Sequence, residues 1–458
     1  MINRRQFLKA AGLCGLSLTI SPFILKHRAM AALPGNLMFA APSTIPQIIH
    51  VFLYGGPSEL AGNLTNIDEI SANSQNPYPG GVIGDRTANN FWGNAGGTFM
   101  EQMLGNNELS IYRTVNRVKD TSRAHGHCVA QNLAGNLDLD NAGIATTLAA
   151  LVDKYNLFNK PVDDLLLPFV SFEGDSRVFN PGDLDIPVVL RPINLNSNFN
   201  NPYARKRNSS LDAQNDDIND RALDNLANGV SAQFPQFGKV NNAFIKRAEL
   251  AAFIENSFNS DQIAADLPVD PDTGMQLVYP NTNFGNRLRA AVSLAIKNPE
   301  TIFISLGSGG LGGWDDHSNA LTNYPGRIRG LMEALQVAAR HLSLMMANNI
   351  VINVFGDFGR NVNLNDAGGW DHGNNQNLYT IGGSGIPGRA LGKLVGKTQR
   401  LGTPYQNRQF TSPTGDSYQC EPFAIASTVF RYFGVLNPEL LTGELPIDES
   451  GTVPNEKA

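Results

Sequence analysis

Three uninterrupted apolar stretches, each running into a glycine turn, set the strongest limit on how this chain folds. Residues 47–54 (Gln-Ile-Ile-His-Val-Phe-Leu-Tyr) lead into Gly55-Gly56-Pro57-Ser58. Residues 301–306 (Thr-Ile-Phe-Ile-Ser-Leu) open on to a glycine-rich loop at 307–313. Residues 349–355 (Asn-Ile-Val-Ile-Asn-Val-Phe) stop at Gly356-Asp357. Continuous rather than alternating hydrophobicity belongs to strands covered on both faces, as in a parallel sheet. Between the last two, Ile328, Leu331, Leu335, Ala338, Leu342 and Met345 recur at spacings of three and four. That spacing is an amphipathic helix over 325–347, and the succession is a βαβ unit. Further helices are expected at 143–155, 241–258, 284–297 and 421–433, and weaker strands at 109–112 and 167–172. The fold class is therefore α/β, with a mostly parallel central sheet and helices on both faces.

Residues 1–31 read as an address rather than as structure. Arg4-Arg5-Gln6-Phe7-Leu8-Lys9 precedes a short apolar run ending near Leu25, then Ala29-Met30-Ala31. This is the pattern of a cleaved bacterial export signal, and the paired arginines resemble the twin-arginine class. The expected location is periplasmic or extracellular, with no stable membrane span once the signal is removed. Five basic and no acidic residues leave with it, which takes the net charge from −6 to −11. An acidic body without a basic run is a poor partner for nucleic acid, because phosphate binding needs clustered Lys and Arg. Cys128 and Cys420 remain, either as a disulfide or as two buried thiols. The domain is expected to span 45–400, with a polar insertion near 194–219. Residues 401–458 would form a C-terminal extension with one helix, packed on the same domain.

The chemistry-bearing residues collect just after the strands, where ligands sit in open α/β sheets. Gly313-Trp314-Asp315-Asp316-His317 follows the second strand, Gly356-Asp357-Phe358-Gly359-Arg360 the third, and Asp371-His372-Gly373 comes shortly after. Carboxylates and imidazoles in glycine-rich turns suit a divalent ion such as Zn, Mn or Ca. Asp315, His317, Asp357, Asp371 and His372 are the candidate ligands. Arg360 is placed to clamp an anionic ester. His125 and His127 are candidate catalytic residues, although they share a face only if their segment is extended. Ser122, with Thr121 beside it, is a candidate hydroxyl nucleophile, although such residues also cap helices. His341 falls on the long helix and reads as structural, and His50 is expected to pair within the fold.

Together these motifs, with Ile381-Gly382-Gly383, resemble the signatures of the domain of unknown function 1501 family. Gly55-Gly56-Pro57-Ser58 matches that family's first turn, and His127-Cys128-Val129-Ala130-Gln131 resembles its Ser-His-Phe-x-Ala-Gln segment. The resemblance runs from about Ile48 to Val395. It implies an alkaline phosphatase-like fold within the alkaline phosphatase and sulfatase superfamily, and twin-arginine export. It also implies metal-ligand regions at Asp315 with His317, at Asp357, and at Asp371 with His372. The chain departs from the pattern at Ala61, where a related subgroup has Asp, and at Gly126, where the family has Ser. Two functions follow as expectations. One is a metal-dependent hydrolase of small phosphate or sulfate esters. The other is a catalytically degenerate periplasmic or surface binding protein on the same scaffold.

Overall fold

The computed structural model describes residues 33–195, 258–401 and 409–449, with 453, 455, 456 and scattered positions between 222 and 255. The export signal, nearly all of the polar insertion and the first part of the helix expected at 241–258 lie outside the described residues. Residues 249–255 of that helix are helical.

The central sheet has eight strands. In chain order they are β1 (Gln47–Leu53), β2 (Leu109–Asn116), β3 (Phe169–Ser171), β4 (Ile193–Asn194), β5 (Phe303–Gly307), β6 (Ile350–Gly356), β9 (Asn375–Gly382) and β10 (Leu394–Val395). A short ladder of β7 (Arg360–Asn361) and β8 (Asp371–His372) stands outside it. Across the sheet the order is β10-β2-β9-β6-β1-β5-β3-β4. Every pairing is parallel except the two made by β9. The α/β expectation with a mostly parallel sheet holds. The reversed strand went unforeseen because its first half, Asn375-Gln376-Asn377, is polar yet buried.

Burial of both sheet faces explains the continuous apolar strands. Ile49, Val51 and Leu53 of β1 join one core, while Ile48 and Phe52 join the other. The first core is closed by α1 (Gly97–Gly105), α4 (Asn283–Lys297) and α5 (Ala320–Leu344). Against the second lie α2 (His125–Ala134), α3 (Ile144–Tyr155) and α6 (Phe423–Tyr432). The start of α4 has a clear local cause: Thr282 accepts the Gly285 N–H at 3.0 Å, satisfying one orphan donor of the first turn. Phe423, the first residue of α6, and Phe430 are both 1% exposed, so α6 is buried with the second core, and a short helix at Glu439–Thr442 follows it. No helix among the described residues is long and apolar enough to cross a membrane. Cys128 and Cys420 are both free thiols.

His50 corrects an expectation. It does not pair: neither ring nitrogen has a hydrogen-bond partner, and the ring packs among Phe52, Phe303 and Phe355. Desolvation pushes it down to about 3. The folded chain therefore keeps this imidazole neutral, while the unfolded chain protonates below about 6.5. Stability is lost as pH falls below 6.5, by about 1.4 kcal/mol per pH unit for this residue until its folded value is reached. Denaturant titrations of His50→Phe and the parent chain at pH 7.5 and 5.5 should show the variant losing about 1.4 kcal/mol less. His341, in contrast, bonds the Tyr279 hydroxyl at 3.0 Å and serves the structure as expected.

Candidate metal centre

Parallel register brings the three glycine turns to one rim. Leu53 of β1 lies opposite Gly356 of β6, so the chain leaves both strands side by side. The Gly55 N–H then donates to Asp357 Oδ2 at 3.2 Å. Gly55 and Gly56 take φ values of +115° and +72°, which a side chain at either position would resist. Their unusual path turns two carbonyls toward Arg360.

Arg360 is only 1% exposed. Its Nε donates to Gly56 O at 2.6 Å and its Nη1 to Trp370 O at 3.1 Å. Nη2 donates to Gly55 O, to Trp314 O at 3.1 Å, and to Asp315 Oδ1 at 2.6 Å. The guanidinium ties four carbonyls from three backbone segments, and one carboxylate, together inside the protein. This corrects the anion-clamp expectation, since the group is turned inward on carbonyls. Burial alone would raise Asp315, but its hydrogen bond to Arg360 and the nearby positive charge hold it below the usual carboxylate range.

Around Asp315 Oδ1 stand three imidazoles. The Nε2 atoms of His317, His125 and His372 lie 3.1, 3.4 and 3.4 Å from it. His317 and His372 bring their Nε2 atoms within 3.0 Å of each other. Ligand atoms of His125, Asp315 and His372 all fall within 4.8 Å of one another. The other ring nitrogen of each histidine is occupied. His372 Nδ1 donates to the Arg123 carbonyl at 2.6 Å, a partner that can only accept. His125 Nδ1 meets Asp357 Oδ2 at 2.8 Å, and His317 Nδ1 meets Asp371 Oδ1 at 3.3 Å. The carbonyl leaves His372 Nε2 with a free lone pair toward Asp315, and the same tautomer at His125 and His317 would turn all three lone pairs to one carboxylate oxygen. Acceptors crowded this way repel unless a cation sits among them. Two further facts agree: His125 Nε2 is buried without a hydrogen-bond partner, and desolvation holds His372 below its ordinary range, neutral and able to ligate. Liganding histidines usually donate their other N–H to a carboxylate or carbonyl, as here. The residues fit a divalent ion.

Asp315 and His372, both expected ligands, thus come together, with His317 at the edge. Asp357 and Asp371 are not in the group; each stands behind a histidine and orients it. Asp357 is 1% exposed, and burial raises it against the lowering effect of the His125 hydrogen bond. Replacing Gly359 should be severe, because a Cβ there would overlap the Asn375 carbonyl. Gly359→Ala is expected to yield insoluble protein, checked by the soluble fraction on expression beside a Gly326→Ala control, whose site is open and helical.

His127 corrects another expectation. The segment is helical, not extended, so His125 and His127 point about 200° apart around α2. His127 Nε2 bonds Asp120 Oδ2 at 2.6 Å instead of joining the site. Ser122 belongs to the turn before α2: its N–H donates to Asp120 Oδ1 at 2.8 Å, and its hydroxyl oxygen accepts from the Ala124 N–H at 3.5 Å. Arg123 had not been singled out, although it holds His372. No signal in the sequence marks it, because it acts through its backbone carbonyl.

Comparison with known proteins adds the following. No curated protein sequence matches the chain. An alkaline phosphatase from the Antarctic bacterium TAB5 is similar in structure, at 11% identity and a TM-score of 0.32, covering 85% of this chain and 98% of the phosphatase. The phosphonate monoester hydrolase SpPMH from Silicibacter pomeroyi is similar at 11% identity and a TM-score of 0.33, covering 88% of this chain and 78% of that one. At such scores the likeness carries no argument about activity. Residues 187–414 match the family model described as "Protein of unknown function (DUF1501)". That stretch contains Asp315, His317, Asp357, Arg360, Asp371 and His372, while His125 precedes it. In these residues, and in the order of its strand-end motifs, the chain resembles the DUF1501 family.

Proposed function

We propose that this chain is an exported, metal-dependent hydrolase of phosphate or sulfate esters, with His125, Asp315 and His372 as the ligands. The observation that carries the reading is the set of three Nε2 atoms gathered around Asp315 Oδ1, at the strand ends where α/β sheets bind ligands. A divalent ion held there would polarise an ester oxygen and acidify a bound water. Three protein ligands leave a coordination position open, as catalytic sites do. The side chains then divide the work. Asp357 and the Arg123 carbonyl fix the His125 and His372 rings, and Arg360 fixes Asp315. His317, half-exposed and held beside Asp371, borders the open position and would hydrogen-bond a bound ester. A water nucleophile suits this site better than Ser122, whose hydroxyl serves its own turn.

The test is metal analysis of protein matured in its native host, followed by hydrolysis of p-nitrophenyl phosphate, bis(p-nitrophenyl) phosphate and p-nitrophenyl sulfate. One bound ion and turnover abolished by chelator are expected. Protein without metal, equally stable with and without chelator, would instead identify a non-catalytic binding protein.

A further inference from the structure

A second feature adjoins the metal centre without belonging to it. A cavity of about 240 Å³ lies between the β7–β8 ladder, the end of β2 and the segment around residue 412. That is below the roughly 300–1,000 Å³ of sites for drug-sized ligands, and suits one ring-sized group. Its polar wall is made of uncharged groups: Asn116, Asn361, Asn374, Ser412 and Gln419. Arg360 also borders it, but that charge is spent on Asp315 and backbone carbonyls.

Asn361 is the telling residue. It is 2% exposed, and its Oδ1 accepts the Asn363 N–H at 3.2 Å, which fixes the amide. Its Nδ2 has no partner among the described residues. An unmade buried donor is costly, so a small turn of this amide toward an acceptor held in the cavity would be favoured. Amides and hydroxyls together offer donors and acceptors in mixed order, the complement of alcohol groups, each of which both gives and takes a hydrogen bond. An anion would need an unspent cation in the wall, and a purely apolar group would leave Asn361 unsatisfied. We infer that this cavity binds an uncharged, polyhydroxylated ring, such as a neutral sugar.

The cavity is also tied to the metal centre. Asn374 lies two residues beyond His372, within about 7.6 Å between Cα atoms. Arg123 bridges them, donating from Nε to Asn374 Oδ1 at 2.7 Å while its carbonyl accepts from His372. As the site for the alcohol portion of an ester substrate, the cavity rests on the hydrolase reading; as a sugar site it does not.

Saturation-transfer NMR with methyl glucoside, methyl galactoside and N-acetylglucosamine separates the two. Transfer to at least one sugar is expected with the parent chain and equally with His125→Ala, whose metal centre is crippled. Two variants should weaken it tenfold or more. Val118→Trp fills the mouth from a side chain that is 62% exposed, and Asn361→Asp keeps the Oδ1 acceptor while removing the donor. No transfer from any neutral sugar to the parent chain would overturn the inference. So would binding untouched by both variants, or competition by inorganic sulfate or phosphate at the cavity. Sugar binding by a chain that holds no metal would leave the inference standing and remove the hydrolase reading.

Discussion

His125→Ala and Asp315→Ala are each expected to lower the affinity for zinc or manganese by at least about 100-fold, the upper end of what outer partners of a metal site cost. The reason is geometric. Asp315 Oδ1 is the shared vertex for three imidazoles, and His125 supplies a buried nitrogen that nothing else in the described structure satisfies. Asp357→Asn should fall between about 10- and 100-fold, because it loosens His125 without removing a ligand. His127→Ala should leave binding unchanged, since that ring serves Asp120. Competition against a chromophoric chelator measures all four. If Asp315→Ala held metal as tightly as the parent chain, the centre would have to lie elsewhere.

The second large effect concerns stability. Arg360→Met is expected to cost about 3–5 kcal/mol, since each buried carbonyl left without its donor costs about 1–3 kcal/mol and several are lost at once. Asp315 is half-exposed and can recover some hydration, so the loss would come mainly from the stranded carbonyls of Gly55, Gly56, Trp314 and Trp370. Arg360→Lys should recover little, because a single ammonium on a flexible stem cannot replace a planar fork that reaches several acceptors at once. Urea denaturation of the three proteins checks this, and a Lys variant as stable as the parent would show that charge, not shape, matters here.

The parts of the architecture open to sequence reading were those whose signal is local. β1, β5, β6 and the long α5 were visible because apolar runs and three-four spacing report burial directly. The turns carrying Asp315, Asp357 and His372 were visible because glycine and acid sit beside strand ends. Their division of labour was not visible. Asp315 and Asp357 look alike along the chain, yet one faces the centre and the other stands behind His125, a difference made by tertiary contacts. The pair His125 and His127 was weighed as extended, when Ala130, Gln131 and Leu133 continue a helix that separates them. Arg360 was read by its charge, whereas its burial depends on carbonyls contributed by three distant turns. β9 escaped notice because Asn375, Gln376 and Asn377 pay for burial through hydrogen bonds, with Asn375 Nδ2 on Arg113 O and Asn377 Nδ2 on Glu59 O.

The placement of β9 bears on how the polypeptide matures during synthesis. Within the sheet, β2 touches only β9 and β10, so residues 109–116 wait more than 250 positions for a neighbour. A nascent chain released before residue 375 would carry β2 with both flanks open, the kind of edge that invites aggregation. His125, which follows β2, would still have Asp357 beside it, so the fault of such a chain would lie in the open sheet rather than at the strand-end turns.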